Sequence, residues 1–450
     1  MQPETPIPGA VRLTPTQRWF FELQPATPHY MNQSVLLAGG PALPRAGWEA
    51  VVDALLAHHD ALGVRFTSED GTWRQCYWAR ESQRVFTEVD LSEAGRLWQP
   101  ALEAAAARLQ RSLNLTEGPL IRIAVFRGPT RGADRIFIVV HRAVIDGVSW
   151  GILLEDLHRA SAQWKAGLPI HLPKRTSSFR HWADRLHART STLDPATNAY
   201  WQAIDARRKS ASVPRDTAGI NSVGSQRHVR IALTDEETRE FLDLPRHAYR
   251  MQANETLIAA VSVTLADWMG TSEAIVAIEG QDRESSNDGL DFTRTVGCFA
   301  TVFPACVTVP RGGGPGAILR AVRDGLRAVP RGGLDYGLWR YGAAGGTART
   351  PDVMVTYHGQ FYQVLGEAGV LATERTGRTR PPAARRAFVL EIDGGIVENR
   401  LNVRIGYSAN LHWPETIDTF AHALATRLRA FIRHCREVSA TEAARSLSPA

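Results

Sequence analysis

The sequence predicts an α/β protein of two lobes, and three observations carry that expectation. Its 450 residues exceed the size at which one hydrophobic core stops growing, so two lobes of roughly 200 residues each are the default. In both halves, β-branched runs alternate with stretches of helical apolar spacing. Between the two series, residues 210–225 turn polar and aperiodic, which places the joint there and divides the chain into lobes 1–208 and 209–450.

In order along the chain, residues 11–22 read as a short helix opened by Thr14 and Pro15, presenting Trp19, Phe20 and Phe21 together. Residues 33–37 have strand character and 50–58 helical spacing. Residues 103–113 are an Ala/Leu-rich helix, and 122–126 and 135–140 are β-branched runs fit for buried strands. Apolar spacing over 150–164 predicts a helix, so 141–147 is a strand-to-helix loop able to aim side chains into a cleft. The second lobe repeats the alternation: helix 255–268, strands 274–278 and 301–309, helix 317–328, strands 353–357, 387–392 and 401–407, and helix 415–434.

Composition narrows the function classes. Apolar residues make up 44% and charged residues 22%, which excludes fibrous and disordered chains. No run approaches the roughly 18 apolar residues of a membrane helix, and the first fifteen residues lack a signal peptide's regions, so a cytoplasmic protein without a membrane partner is expected. Cys76, Cys298, Cys306 and Cys435 show no CxxC spacing, and buried free thiols are expected. Neither HExxH nor a spaced Cys/His cluster is present, so no metal site is expected. The net charge of +6 comes from scattered arginines without interleaved aromatics; nucleic acid is not an expected partner, whereas acidic protein surfaces fit.

Several stretches together resemble a known family. HRAVIDGVSW (141–150) resembles the HHxxxDxVSW signature of epimerization domains and the HHxxxDG of condensation domains in nonribosomal peptide synthetases. LTPTQRWFFE (13–22), HHDALGVRF (58–66) and LPKRTSSFRHWA (172–183) are similar to further family motifs and fall in family order. AIEGQDRE (277–284) resembles the epimerization motif EGHGRE, RTVGCFATVFP (294–304) resembles RTVGWFTxxxP, and PRGGLDYGLWRY (330–341) and VTYHGQF (355–361) match later landmarks. The resemblance implies two chloramphenicol-acetyltransferase-like lobes in a V-shaped pseudo-dimer, with the HHxxxDG loop at the floor of a tunnel where carrier proteins dock. It makes residues 282–294 the floor loop and 357–367 the crossing latch.

Epimerization removes and returns the α-proton of a carrier-bound thioester, which needs paired acid and base groups. In the family these are the motif's second histidine and the glutamate of EGHGRE. Here the glutamate is Glu279, but the second histidine is Arg142, whose side chain holds its proton above pH 12 and cannot serve as base. Facing Glu279 across a tunnel, Arg142 would pair with it and place a bulky, planar group at the reaction centre. By resemblance, His141 is structural, Asp146 makes a structural ion pair with an arginine inside the motif region, and Gly147 eases the turn into the next helix. Gln281, Asp282 and Cys298 depart from the family pattern as well; Cys298 is expected to be a packed thiol rather than a nucleophile. Tyr336, Tyr357 and the 19–21 cluster are expected in lobe cores. The arginines at 375–380 and 385–386 are expected in a solvated loop, with a docking face as the alternative.

The HRxxxD core also resembles the X domains of glycopeptide-antibiotic synthetases, which are catalytically silent and recruit haem-thiolate monooxygenases for side-chain crosslinking; Gly147 departs from their usual HRxxxDD. The leading expectation is therefore an inactive domain, with a peptidyl carrier protein, such monooxygenases and neighbouring synthetase domains as partners. It would bind no cofactor of its own beyond the carrier's phosphopantetheine arm as tunnel ligand. The alternative is an active epimerization domain converting L- to D-aminoacyl or peptidyl thioesters, or a condensation catalyst. A remnant that only spaces its neighbours is a third reading.

Overall fold

The structure is a computed structural model that describes residues 9–23, 27–77, 85–130, 132–208, 212–281, 283, 289–310, 312–342, 350–359 and 369–447. Strand β1 (Gly9–Val11) leads into helix α1 (Pro15–Glu22), begun by a capping box in which Thr14 Oγ1 accepts from Gln17 N and Gln17 Oε1 accepts from Thr14 N. Next come β2 (Asn32–Ala38), α2 (Arg45–His58), β3 (Val64–Glu69), β4 (Thr72–Tyr77) and β5 (Phe86–Asp90). They are followed by α3 (Trp98–Gln110), β6 (Ile121–Arg127), β7 (Arg135–His141), α4 (Gly147–Lys165) and α5 (Phe179–Thr190). The second series runs α6 (Pro195–Arg208), β8 (Gln226–Ala232), α7 (Asp235–Tyr249), α8 (Ala253–Met269), β9 (Glu273–Gln281) and β10 (Ala300–Thr308). It continues with α9 (Pro315–Arg327), α10 (Leu334–Tyr341), β11 (Val353–Tyr357), the short β12 (Val370–Leu371), β13 (Leu390–Val397), β14 (Arg400–Ser408) and α11 (Pro414–Leu447).

These elements gather into two compact units that are not simple halves of the sequence. The first holds Met1–Ser191, Asp282–Ala300 and Phe361–Ala384; the second holds Thr192–Gln281, Thr301–Gln360 and Arg385–Ala450. This corrects the linear division at 208/209. Helix α6 belongs with the second unit because Trp201, fully buried, packs edge-on against Tyr336 at 5.0 Å in that core. The polar composition of residues 210–225 marks a strap laid on the second unit: Asp216 N and Thr217 N both donate to Leu411 O.

In the first unit a five-stranded sheet has the order β12-β2-β7-β6-β5, beside a small sheet ordered β1-β4-β3. Strand β7 shows why its sequence is apolar throughout. Ile136, Ile138 and Val140 face a core shared with α2 and α4, whereas Phe137 and Val139 face one built with α3. Side chains alternate across a strand, so one covered on both faces needs an unbroken apolar run. The second unit carries a six-stranded sheet ordered β10-β9-β11-β13-β14-β8. Here β14 buries Leu401, Val403, Ile405 and Tyr407 in a single core while Arg404 between them is exposed, the pattern of a sheet covered on one face. Among the described residues, no helix is long and apolar enough to cross a membrane. None of the four cysteines is in a disulfide; Cys298 and Cys435 are buried as expected, but Cys76 and Cys306 are only half-buried.

Candidate functional site

Strand β7 ends at His141 and α4 begins at Gly147; between them a single 3-10 turn, Arg142–Val144, carries the motif. Its backbone is anchored from three sides. His141 N donates to Leu120 O at 2.8 Å, Arg142 N donates to Met31 O at 2.9 Å, and Gln17 Nε2 of α1 donates to Ala143 O at 3.0 Å. The sequence folds this way locally because the strand runs straight into the turn and Asp146 caps the helix that follows, accepting from Ser149 N at 2.8 Å.

His141 is fully buried, and both its ring nitrogens are engaged. Nδ1 accepts from Ala143 N at 3.2 Å, which leaves Nε2 to donate to Pro28 O at 2.9 Å, while Phe20 meets the ring edge-on at 5.4 Å. Burial pushes its pKa down to about 4, so the ring is neutral near pH 7, yet neither nitrogen is available to take a substrate proton. The structural role expected of His141 is the one its geometry supports.

Asp146 departs from the expectation of a partner inside its own motif. Its partner is Arg283, from the segment that resembles EGHGRE. Arg283 Nη2 donates to both carboxylate oxygens, at 2.9 and 3.1 Å, and to Ser149 Oγ at 2.8 Å. Phe299 N makes the fourth hydrogen bond to Asp146, at 2.9 Å, so each oxygen of this buried carboxylate accepts twice. Nη1 of Arg283 donates to Phe292 O and Thr295 O, and its guanidinium lies 4.1 Å over the Phe299 ring. Burial draws the pKa of Arg283 down against the opposing pull of Asp146, and Cys298 is buried in the same neighbourhood. Gly297 is required by close approach: it exchanges hydrogen bonds with Ser149 Oγ, and a Cβ on it would lie 2.4 Å from the Phe179 ring. Three motifs far apart in sequence thus meet around one ion pair, as an apolar cluster with a satisfied charge at its centre.

Gly147 is corrected too. It is the first residue of α4, it does not occupy the left-handed region, and open space surrounds the position of a Cβ, so the turn does not need a glycine there. Arg142 is half-buried in the first unit, whereas Glu279 is half-buried on β9 of the second. Gln281 ends that strand, exposed. Asp282, Glu284 and most of the latch lie outside the described residues. Tyr336 packs as expected against Trp201, and Phe20 and Phe21 are buried, with Phe21 stacked on Trp73 at 4.3 Å; Trp19 of the same cluster is only half-buried. Tyr357 meets Phe241, and burial pushes its hydroxyl up to about 12. Arg386 is neither solvated nor a docking residue. It is buried and donates to Glu391 at 2.8 Å, Gly406 O and Val389 O.

Comparison with known proteins completes the assignment. The condensation-domain family matches residues 8–446. The chain is 34% identical to chondramide synthase cmdD of Chondromyces crocatus and 30% identical to tyrocidine synthase 1 of Brevibacillus parabrevis, over 95% and 97% of its length. It spans 11% and 42% of those two proteins. Among solved structures, the epimerization domain from the third module of tyrocidine synthetase B superposes with a TM-score of 0.88 at 27% identity, covering 96% of this chain and 98% of that one. The X-domain from teicoplanin biosynthesis gives 0.71 at 18% identity, covering 96% of each, and so shows the fold alone. The two-unit α/β architecture, the motif turn and these matches agree that the chain belongs to the condensation-domain family, within the condensation/epimerization superfamily of nonribosomal peptide synthetases.

Proposed function

We propose that this chain is a catalytically silent condensation/epimerization-type domain that recruits a haem-thiolate monooxygenase to a carrier-bound peptide. One observation carries the reading: the position of the proton-transferring histidine is held by Arg142, while the neighbouring His141 has both nitrogens committed within the fold. Arginine does not release its proton near pH 7, and removing a general base costs a factor of roughly 100 to 10,000 in rate. A carrier protein's phosphopantetheine arm is the ligand such a domain would receive, and neighbouring synthetase domains are its covalent context. Recruitment needs no acid/base pair; it needs an exposed face, and a chain of net charge +6 suits an acidic one. A complex of the teicoplanin X-domain with OxyB, whose X-domain shares 17% identity with this chain at a TM-score of 0.68, lends this reading its precedent.

The second reading is an active epimerization domain, favoured by the retained Glu279 and by the stronger likeness to the tyrocidine epimerization domain. One experiment separates the two. A peptidyl-loaded carrier protein is incubated with the domain in deuterated water, and α-deuterium is measured by mass spectrometry. No exchange above the carrier alone is expected, and Arg142→His is expected not to restore a full rate, because Gln281, Asp282 and Cys298 also depart from the family pattern. Exchange at a rate typical of epimerization domains makes the second reading the right one. Calorimetric titration of the domain against monooxygenases of the same biosynthetic cluster should give binding that weakens with salt, since screening acts beyond a Debye length of roughly 8–10 Å.

A further inference from the structure

Sequence spacing shows no metal motif, but folding of the first unit brings three ligand-type side chains together beside the middle of α4. His58 ends α2, His59 caps it, and Asp156 lies about 15 Å along α4 from Asp146 at 1.5 Å per residue. Nitrogen and oxygen donors of the three lie within 4.8 Å of one another. His59 and Asp156 are buried, with Nε2 and Oδ2 facing each other at 3.1 Å, yet neither atom has an aligned hydrogen bond. The two atoms pair with each other at 3.1 Å without good alignment, which leaves lone-pair capacity at this spot for an ion that both could ligate.

We propose that His58, His59 and Asp156 form a metal site for a first-row transition ion, with Zn2+ as the probe that fits two imidazoles and a carboxylate. Around a tetrahedral ion with bonds of about 2.0–2.2 Å, donor atoms stand roughly 3.3–3.5 Å apart. The His59–Asp156 pair is nearly there at 3.1 Å, and the half-buried His58 supplies the third donor within 4.8 Å of the other two, which leaves the fourth position to water. The other oxygen of Asp156 accepts from Arg294 at 2.7 Å, and Arg294 also reaches Glu155 at 2.9 Å. A ligating carboxylate is commonly oriented by such an outer donor.

The test uses the tag-free full chain, stripped with a chelator and titrated with Zn2+ by calorimetry, and with Co2+ followed by visible absorption. One equivalent of Zn2+ is expected, with a tetrahedral Co2+ spectrum, and both should weaken at least about tenfold in His58→Gln and Asp156→Asn. His58→Gln alters a half-buried side chain at a helix end, so it keeps the test decisive should Asp156→Asn fail to fold. Equal Zn2+ affinity in the wild type and His58→Gln, or no stoichiometric binding, overturns the proposal.

Discussion

Helix α4 carries two buried aspartates that differ in how completely they are served. At its first turn, Asp146 accepts four hydrogen bonds, two from the backbone and two from Arg283. Ten residues on, Asp156 has one oxygen on Arg294 and the other facing His59 without an aligned hydrogen bond. The first is closed: every lone pair is spent on holding three motifs together, and nothing is left for a ligand. The second is less completely served: Arg294 holds one oxygen and the other faces His59 at 3.1 Å. The motif with the stronger family likeness thus does structural work at Asp146, and the less conspicuous pair of histidines offers the reactive donors.

The largest effect expected from this contrast is at Asp146. Asp146→Ala removes the cap of α4 and leaves the Arg283 guanidinium buried beside Phe299 without its counter-charge. Loss of one partner of a buried pair costs about 3–5 kcal/mol, which urea unfolding should read as a large fall in the midpoint. A loss under about 1 kcal/mol would break the picture of a closed structural pair.

Acid comes next. His141 has a folded pKa of about 4 against 6.5 for the free side chain, so the unfolded chain takes up a proton that the folded one refuses. Its contribution to stability is fully present above pH 6.5 and is lost as pH falls toward 4, on the order of 3 kcal/mol across that window. His58 and His228, also lowered to about 4 and only partly buried, act in the same direction with smaller weight. Unfolding free energies measured between pH 7 and 4 should decline, and the decline should be shallower in His141→Gln.

Asp156→Asn should be milder than Asp146→Ala, about 1–2 kcal/mol by the same urea measurement, because Arg294 is partly exposed and keeps Glu155 as a partner. A cost as large as that of Asp146→Ala would show that the second aspartate is as structurally committed as the first.

Much of this was legible in the sequence, for identifiable reasons. Strands such as β7 and helices such as α8 announce themselves because burial on one or both faces writes a period into the chain. Strand β8 escaped because its sequence, QRHVRIA, leaves it mostly exposed on the edge of its sheet, and α7 because a proline, Pro245, lies inside an otherwise charged helix. The motif turn was legible as a motif, but its chemistry was not. The partner of Asp146 lies 137 residues away, a distance no local spacing encodes. The His59–Asp156 contact was hidden in the same manner, since the sequence shows a histidine doublet and an acidic helix residue with nothing to join them.

The distance between Asp146 and Arg283 also bears on how the protein is made. At about 5–20 residues per second, a ribosome takes on the order of 10 s to add the 137 residues that separate them. During that interval α4 has emerged, but the carboxylate at its head has no counter-charge, and the edge strand β12, which pairs with β2, is later still. The first unit therefore cannot close behind the ribosome as an independent N-terminal body. Its completion is deferred until the second unit is largely synthesised, which leaves the β2 edge of its sheet unpaired while translation proceeds.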